Sequence, residues 1–368
     1  PSAATFMVSS GRRSVLLLVL FAAVSVALSA QRTTLPIAPR GSITRALMTA
    51  TTTSSKTSCT KSAAAMGKPF SDSELDSLLT SLRNLAGPTR GASEAGAPGI
   101  DWDGLRALYA ECAHLSHKDW ARTEHAATKL AGLVGSPEHA DFRRIFERVL
   151  VGGGWGGAAG AAAARPAGCK PWIVLVTGLN GIRKTSATYQ PWFKELLAQA
   201  LGGSYAGDTS ELPGGRDSFF RQLDFIIASV ANEEFKELYG IDELGQYAAR
   251  KDAIFARYRT VAEVLGALLL KAAQKERLNI IVETSGRDVG MYSYVDHFFG
   301  AGSGYRKLVV NFSINDIGFA ERSVDVRMAK EMAEGGVALR GGGGGGGRAK
   351  LRRLLEVNAG GPYGSAGG

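Results

Sequence analysis

The residues whose chemistry is easiest to recognise form a short glycine-rich segment, GLNGIRKT, at positions 178–185. Its spacing follows the phosphate-binding pattern G-x-x-x-x-G-K-[ST], except that Arg183 occupies the place of the second glycine. Loops of this kind bind phosphate because their backbone N–H groups and the N-terminus of the next helix form a positive, concave surface. The pattern therefore predicts a nucleotide-binding loop, which consists of Gly178, Leu179, Asn180, Gly181, Ile182, Arg183, Lys184 and Thr185.

The last residues of this loop have separate expected roles. Lys184 is expected to reach the β- and γ-phosphates of ATP, and the hydroxyl of Thr185 is expected to bind Mg²⁺. Arg183 adds a Cβ that would crowd the phosphates, although its positive charge favours them. The alternative is a strand–turn–helix that contains Lys184 and Thr185 by chance, but the apolar strand before the loop and the helical pattern after it favour a nucleotide site.

Further charged residues follow the other predicted strands. Asp224 comes after the predicted strand Phe219–Leu223, and Glu283 closes the apolar strand Leu278–Val282. Ligands of open α/β sheets bind at the carboxyl ends of the strands. Asp224 is therefore a candidate base for an acceptor hydroxyl, and Glu283 is a candidate to orient Mg²⁺ through water. Three arginines are candidates to neutralise charge on a transferred phosphoryl group, namely Arg287, Arg322 and Arg327.

Each of these assignments has a structural alternative. Asp224 could cap the helix that follows it, Glu283 could pair with an arginine, and the arginines of the later helix could lie on a solvated face. The base itself has a second candidate, because an alignment through NEEFK at positions 232–236 would make it Glu233. The helical spacing of Ile226, Ile227 and Val230 after Asp224 favours Asp224.

A parallel sheet is needed to bring these residues together. Apolar strands are predicted at Trp172–Val176 and Lys307–Ile314 as well, and a long helix is predicted over residues 246–277. A further helix is predicted from Ser186 to Leu201. Strands that alternate with helices indicate an α/β fold. We therefore predict a P-loop NTPase-type parallel sheet with helices on both faces, in a kinase-like domain over residues 169–335.

The remaining segments are divided by composition. Residues 70–150 have leucines at helical spacing and are predicted to form a helical region. Residues 151–168 are rich in glycine and alanine and are interpreted as a linker or a surface insertion outside the packed core. Residues 336–368, with a glycine tract at 341–347, are interpreted as a low-complexity C-terminal extension.

The N-terminal segment has the composition of a targeting sequence. Residues 1–30 combine Arg12 and Arg13 with an apolar run, Val15–Leu28, as in a signal sequence. Residues 31–68 are rich in Ser, Thr, Ala and Arg and lack acids, as in a transit peptide. The combination predicts a plastid bounded by extra membranes, with the mitochondrion as alternative. The apolar run is short for a membrane span, so no stable span is expected after processing, with an uncleaved anchor as the rival interpretation.

Charge and cysteine usage narrow the range of partners. The 368 residues carry a formal net charge of +9, but residues 1–71 contain eight basic and no acidic residues, which leaves 35 basic against 34 acidic residues in the rest. Because residues 72–368 are nearly neutral, nonspecific electrostatic binding of nucleic acid by this part of the chain is not expected. Cys59, Cys112 and Cys169 have no metal-binding spacing and are interpreted as thiols of a reducing compartment.

Taken together, the loop, the region of Asp224 and two later segments resemble the zeta toxin family of P-loop kinases. These segments are the long helix with Arg259, Thr260 and Glu263, and IIVETSGRDV at 280–289. The motif Glu-x-[Thr/Ser]-Gly-Arg of that family is matched by Glu283, Ser285, Gly286 and Arg287. Its lid helix carries phosphate-binding arginines, for which Arg322 is the nearest match and Arg327 a looser one.

The resemblance implies ATP- and Mg²⁺-dependent phosphorylation of a hydroxyl on a small-molecule acceptor. Bacterial members act on a nucleotide-activated amino sugar, so a sugar nucleotide is one implied acceptor. Two alternatives stay open at this stage. One is a nucleotide-binding regulatory or scaffold protein whose P-loop is degenerate at Arg183. The other is a kinase of polynucleotide ends, against which the nearly neutral body counts.

Overall fold

The computed structural model describes residues 16–20, 67–86, 100–135, 139–286, 289–340 and 347–357 of the chain. Their centre is a sheet in which every pair of neighbouring strands is parallel. The strand order is β1-β5-β2-β4-β3. The strands are β1 Leu16–Leu20, β2 Trp172–Thr177, β3 Ser218–Arg221, β4 Asn279–Glu283 and β5 Arg306–Phe312.

The helices lie before, between and after these strands. In the part of the chain that the structure describes, three short 3-10 turns accompany them at Gly202–Ser204, Thr209–Glu211 and Ala301–Ser303. The helices of the described ranges are α1 Asp72–Ala86, α2 Trp102–Cys112, α3 Trp120–Val134, α4 Ala140–Gly152, α5 Trp155–Ala163, α6 Lys184–Thr188, α7 Trp192–Leu201, α8 Leu223–Val230, α9 Asn232–Leu238, α10 Leu244–Lys275, α11 Gly290–Phe298, α12 Ile317–Arg340 and α13 Gly347–Val357.

Strand β2 is the central element, and both of its faces are covered. Alternate side chains of a strand point to opposite faces. Ile173 and Leu175 belong to the larger core cluster, which also includes much of α10, whereas Val174 and Val176 belong to a second cluster with α7. The predicted α/β class with a parallel sheet and helices on both faces is therefore confirmed.

The order of the strands creates a crevice at the end of β2. From β2 the chain runs to β3 and β4 on one side and returns to the other side for β5. All neighbouring strands are parallel, so the carboxyl ends of β2, β3, β4 and β5 lie at one edge. Ligands of open α/β sheets bind in the crevice at such a reversal of strand order. The segment after β2 is therefore in a position to contact a ligand.

Most predicted elements are found close to their predicted bounds, and α10 covers 32 residues. The predicted helix from Ser186 to Leu201 is instead divided into α6 and α7, since Pro191 has no N–H for a continuous helical ladder. The segment after Asp224 is likewise divided at Ala231, whose φ of −116° and ψ of 30° end α8. Asp224 itself lies in the first turn of α8, because β3 already ends at Arg221.

The predicted helical region of residues 70–150 contains α1 to α4, and these helices pack directly on the sheet domain. Thr260 Oγ1 of α10 donates a hydrogen bond to Leu115 O at 2.7 Å, and Arg257 of α10 pairs with Glu74 of α1 at 2.6 Å. Leucines of α1 and apolar residues of α10 belong to one core cluster. The helical region therefore shares its hydrophobic core with the sheet domain.

The glycine- and alanine-rich segment 151–168 differs from its interpretation as a linker outside the core. It contains helix α5, in which Trp155 and Ala158 are buried against β3. A Cβ at Gly153 or Gly157 would overlap a backbone oxygen near this strand. The small residues therefore permit close packing, and their composition does not indicate flexibility here.

The C-terminal segment also differs in part from the predicted extension. Residues 336–340, at the start of this segment, continue α12. Helix α13 buries Leu351, Leu354 and Leu355. The glycines at 341–346 lie outside the described residues, as do most of the predicted signal and transit segments. Within the described ranges, no helix has both the length and the apolar character needed to cross a membrane. The plastid destination stays a prediction.

Candidate functional site

The predicted loop leaves the end of β2 in a conformation that only a few residue types adopt easily. Gly178 has a φ of 135° and Gly181 a φ of 83°. A Cβ at Gly178 would overlap Phe312 O at the end of β5, and a Cβ at Gly181 would overlap Ala320 O of α12. Both glycines are therefore required by backbone conformation and by close approach. The loop is held between β5 and α12.

Arg183 occupies the position where the loop pattern has its second glycine, and its backbone explains that preference. Its φ of 64° and ψ of 34° lie in the left-handed region, which glycine adopts without steric cost. The side chain of Arg183 is exposed. The departure therefore introduces local backbone strain, while the arginine side chain itself lies at the surface.

Lys184 begins helix α6 and is buried, with 3% of its surface exposed. Its Nζ donates hydrogen bonds to Gly178 O at 2.7 Å and Leu179 O at 2.8 Å, and lies 3.6 Å from Glu283 Oε1. Burial lowers the pKa of the Lys184 amine below its ordinary value, and the charge of Glu283 opposes this. The structure thus holds a cation inside the curve of the loop.

Thr185 and Glu283 bring oxygen ligands to the same place. Thr185 Oγ1 donates a hydrogen bond to Glu283 Oε2 at 2.5 Å, and Glu283 is the last residue of β4. No group of three or more His, Cys, Asp or Glu side chains suited to a metal is found in the part of the chain that the structure describes. Mg²⁺ commonly takes one or two protein oxygens and completes its shell with phosphates and water. The pair fits Mg²⁺ that arrives with a nucleotide.

Asp224 is partly buried in the first turn of α8, which follows β3. Burial raises the pKa of the Asp224 carboxyl, whereas the positive charges of Arg259, Lys251 and Arg327 act in the opposite direction. The negative charge of Asp224 acts on Lys184 in turn and raises the pKa of its amine. Asp224 therefore stands in the same electrostatic environment as the loop.

The structure distinguishes between the candidate arginines. Arg327 of α12 acts electrostatically on both Lys184 and Asp224. Both arginines are exposed, but Arg322 lies 3.5 Å from the carboxylate of Asp316. Arg287 lies outside the described residues. Of the two described candidates, Arg327 is therefore the one whose charge acts on Lys184 and Asp224.

Glu233, the second candidate base, lies in a different environment. Its carboxylate accepts hydrogen bonds from Asn84 Nδ2 of α1 at 2.8 Å and from Lys236 Nζ at 2.6 Å. Its backbone N–H lies 3.4 Å from Ser81 Oγ of the same helix. Glu233 joins α9 to the helical region, which is a structural contact.

Lys251, whose charge acts on Asp224, was not identified from the sequence. It is fully buried on α10, in line with the buried residues Tyr247, Ile254 and Tyr258. A lysine in an otherwise apolar helical stripe is the signal that could have found it, because buried lysines need a partner.

The described cavities do not coincide with the loop. One cavity of about 500 Å³ is lined by Arg165, Cys169 and Arg277, next to the amino end of β4. This is the edge of the sheet opposite to the loop, so the cavity does not add residues to the candidate site.

Comparison with known proteins does not extend these observations. No protein family matches the chain, and no curated protein or solved structure matches it.

Proposed function

We propose that the protein is an ATP-dependent kinase of the zeta-toxin-like type, which transfers the γ-phosphoryl group of ATP to a hydroxyl of a small molecule. The observation that supports this most directly is the arrangement at the carboxyl edge of the sheet. There Lys184, Thr185 and Glu283 meet inside a loop with left-handed backbone positions, and Asp224 and Arg327 share their electrostatic environment.

The loop residues would bind the nucleotide. The backbone of residues 178–185 would surround the phosphates, and Lys184 would exchange its bonds to the loop carbonyls for phosphate oxygens. Thr185 and Glu283 would hold Mg²⁺ directly or through water. The metal ion would supply positive charge that neutralises the phosphates. Because the ammonium group of Lys184 is already buried in the loop, the cost of removing it from water has been met before the nucleotide binds.

Asp224 and Arg327 would act on the acceptor side. Asp224 would accept the proton of the acceptor hydroxyl while the acceptor oxygen bonds to the γ-phosphorus and the bond from that phosphorus to the leaving ADP breaks. Its raised pKa suits a group that must take up a proton. Arg327 would stabilise the negative charge of the transferred group. The corresponding role of Arg287 stays a prediction.

A nucleotide-binding regulatory or scaffold protein with a degenerate P-loop is the second candidate. The strained backbone at Arg183 is the observation that favours it. Against it stands Asp224, because a carboxylate kept beside a phosphate site at a cost in desolvation is expected in catalysis and is not needed for binding.

The test is a phosphoryl-transfer assay with γ-labelled ATP, Mg²⁺ and a library of sugar nucleotides, nucleosides and cofactors as acceptors. A general base typically contributes about 10²- to 10⁴-fold, so Asp224→Asn should lower turnover by that factor and leave ATP affinity nearly unchanged. Glu233→Gln is the matched control and should keep near-wild-type turnover, since Glu233 contacts Asn84 and Lys236. Equal turnover of both variants and the wild type would remove Asp224 from the mechanism.

A further inference from the structure

Helix α12 has a charged residue, Glu331, among the residues of its buried face. Glu331 is 4% exposed, and both residues that bind it from α10 are fully buried. Lys251 Nζ donates to Glu331 Oε1 at 2.8 Å and to Oε2 at 2.7 Å, and Tyr247 OH donates to Oε1 at 2.8 Å. We call Tyr247, Lys251 and Glu331 the α12 clamp. Each polar group of the clamp thus has a geometrically defined partner.

Two close approaches fix α12 on either side of its middle. Near its start, Gly181 of the loop lies so close to Ala320 and Val324 that a Cβ would overlap them. Near its end, Gly335 lies against the ring of Tyr239, which itself stacks on Tyr247 of the clamp. The helix therefore bridges the phosphate-binding loop and the α9–α10 region.

Arg327 lies between these contacts, one helical turn before Glu331. Residues four apart in a helix lie one above the other, and here Glu331 is buried whereas Arg327 is exposed. Arg327 acts electrostatically on Lys184 and on Asp224, so its place depends on how α12 sits over the loop. Any rotation or sliding of α12 would break the hydrogen bonds of Glu331 and move Arg327 at the same time.

We propose that the α12 clamp positions Arg327 at the junction of the loop and Asp224, so that Lys251 and Glu331 are positioning residues for phosphoryl transfer. This inference rests on the proposed kinase function. Apolar residues of similar size could stabilise the helix pair as well as a buried ion pair does. They would, however, permit several registers, whereas a carboxylate with three hydrogen bonds permits one.

Besides positioning Arg327, Lys251 could influence the reaction through Asp224, because the charge of Lys251 acts on that carboxyl. The charged groups that interact with Asp224 include Arg259 and Lys251 of α10, Arg327 of α12, Glu283 of β4, Lys184 of α6 and Arg221 of β3. If Lys251 acted only through the charge of Asp224, its effect would not depend on Arg327. The two routes can therefore be separated by removing Arg327.

The decisive variant replaces the ion pair by apolar residues of similar size, Lys251→Met together with Glu331→Met. Changing only one partner would leave a buried charge and confuse folding with function. The matched control is Arg257→Met with Glu74→Gln, which removes another ion pair of α10, one that faces α1. Melting temperatures verify that both double variants are folded.

The measurements are kcat and KM for ATP in the wild type and in Arg327→Ala, each with and without the apolar replacement. Coupled residues have non-additive effects. We expect the replacement to lower kcat about 10- to 100-fold with a smaller change in KM, and to lower it less than about twofold once Arg327 is absent. The control double variant should keep wild-type kcat. The same loss of kcat with and without Arg327 would overturn the positioning role.

A second variant keeps the test informative if the apolar replacement does not fold. Tyr247→Phe removes only the hydroxyl that binds Glu331, and it should lower kcat about two- to fivefold in the wild type and not in Arg327→Ala. An additive effect would contradict the clamp. Calorimetry of Mg·ATP separates the two failures, because a wild type that binds no nucleotide refutes the proposed function and the clamp with it, whereas binding and turnover without coupling refute the clamp alone.

Discussion

Replacing Arg183 by glycine tests whether the loop has the left-handed backbone that the structure describes. A non-glycine residue in this region costs about 1–2 kcal/mol, whereas glycine costs about 0.5–1 kcal/mol through the greater freedom of the unfolded chain. The Arg183 side chain is exposed, so its loss should change stability by less than about 0.5 kcal/mol. Arg183→Gly should therefore raise the free energy of unfolding by about 0–1.5 kcal/mol.

Two further substitutions complete the series. Arg183→Ala keeps the strained backbone and should stay within about 0.5 kcal/mol of the wild type. Arg183→Val should lower stability by about 1 kcal/mol or more, because a β-branched residue is a genuine outlier at a φ of 64°. Denaturant unfolding, after a check of reversibility, provides the measurement. A glycine variant less stable than the arginine protein, or a valine variant of equal stability, would refute the described loop.

The same series separates the two candidate functions. An exposed charge near the phosphates contributes about 0–1 kcal/mol, so Arg183→Gly should weaken ATP binding no more than about fivefold if the loop already works. A P-loop that Arg183 disables should instead gain affinity when glycine is restored. Calorimetric titration of Mg·ATP into both proteins decides between these results, and a large gain would favour the regulatory or scaffold protein.

Two other predictions concern buried positions. Because burial raises the pKa of Asp224, its ionised form lowers the stability of the protein near neutral pH, and Asp224→Asn should be more stable than the wild type at pH 7. The difference in stability should vanish at about pH 4 and below, where the carboxyl is protonated in the unfolded chain as well. Unfolding at a series of pH values measures this, and a pH-independent difference would contradict it. Gly335→Ala should destabilise the protein by about 1–3 kcal/mol because its Cβ would overlap Tyr239. Gly132→Ala in α3, where nothing lies within 4 Å of the new Cβ, should instead stabilise it by up to about 1 kcal/mol, and equal effects at the two glycines would refute the described packing.

The elements that carry the candidate site could be predicted from the sequence. Strand β2 and the loop after it are specified locally, by an apolar run and by glycines that the backbone requires. The parallel sheet then follows from the alternation of strands and helices. The meeting of Glu283 with Thr185 was predictable as well, since both follow parallel strands of one sheet edge.

Features that depend on tertiary packing could not be predicted. Arg322 and Arg327 lie on one helix, and only the packing of that helix against Gly181 determines which arginine acts electrostatically on Lys184. Glu233 was a reasonable candidate until α1, far away in the sequence, was found to bind it.

Composition was misleading where small residues serve packing. The glycines and alanines of 151–168 suggest a linker, but they let α5 approach β3 closely. Similarly, Glu331 interrupts the apolar stripe of α12, and its buried partner Lys251 lies 80 positions away in the sequence. Such pairs become visible only when the helices are placed side by side.

If the loop binds Mg·ATP through Lys184, calorimetry should measure very different affinities for the wild type and for Lys184→Met. Charge-assisted hydrogen bonds contribute about 1.5–3 kcal/mol each, and Lys184 must give up its bonds to Gly178 O and Leu179 O, so we expect about a 100-fold loss of affinity. Lys330→Met, at an exposed lysine of α12, is the control and should bind as the wild type does.

The stability of the same variant makes the result specific to a ligand site. Burial lowers the pKa of Lys184, so its charge costs stability at neutral pH, and its partner Glu283 is 27% exposed and can be hydrated when it is left alone. Lys184→Met should therefore unfold no more easily than the wild type within about 1 kcal/mol. We expect one Mg·ATP site in the wild type and its near loss in a fully folded Lys184→Met. Equal affinity of the two proteins, or no binding by the wild type, would contradict it.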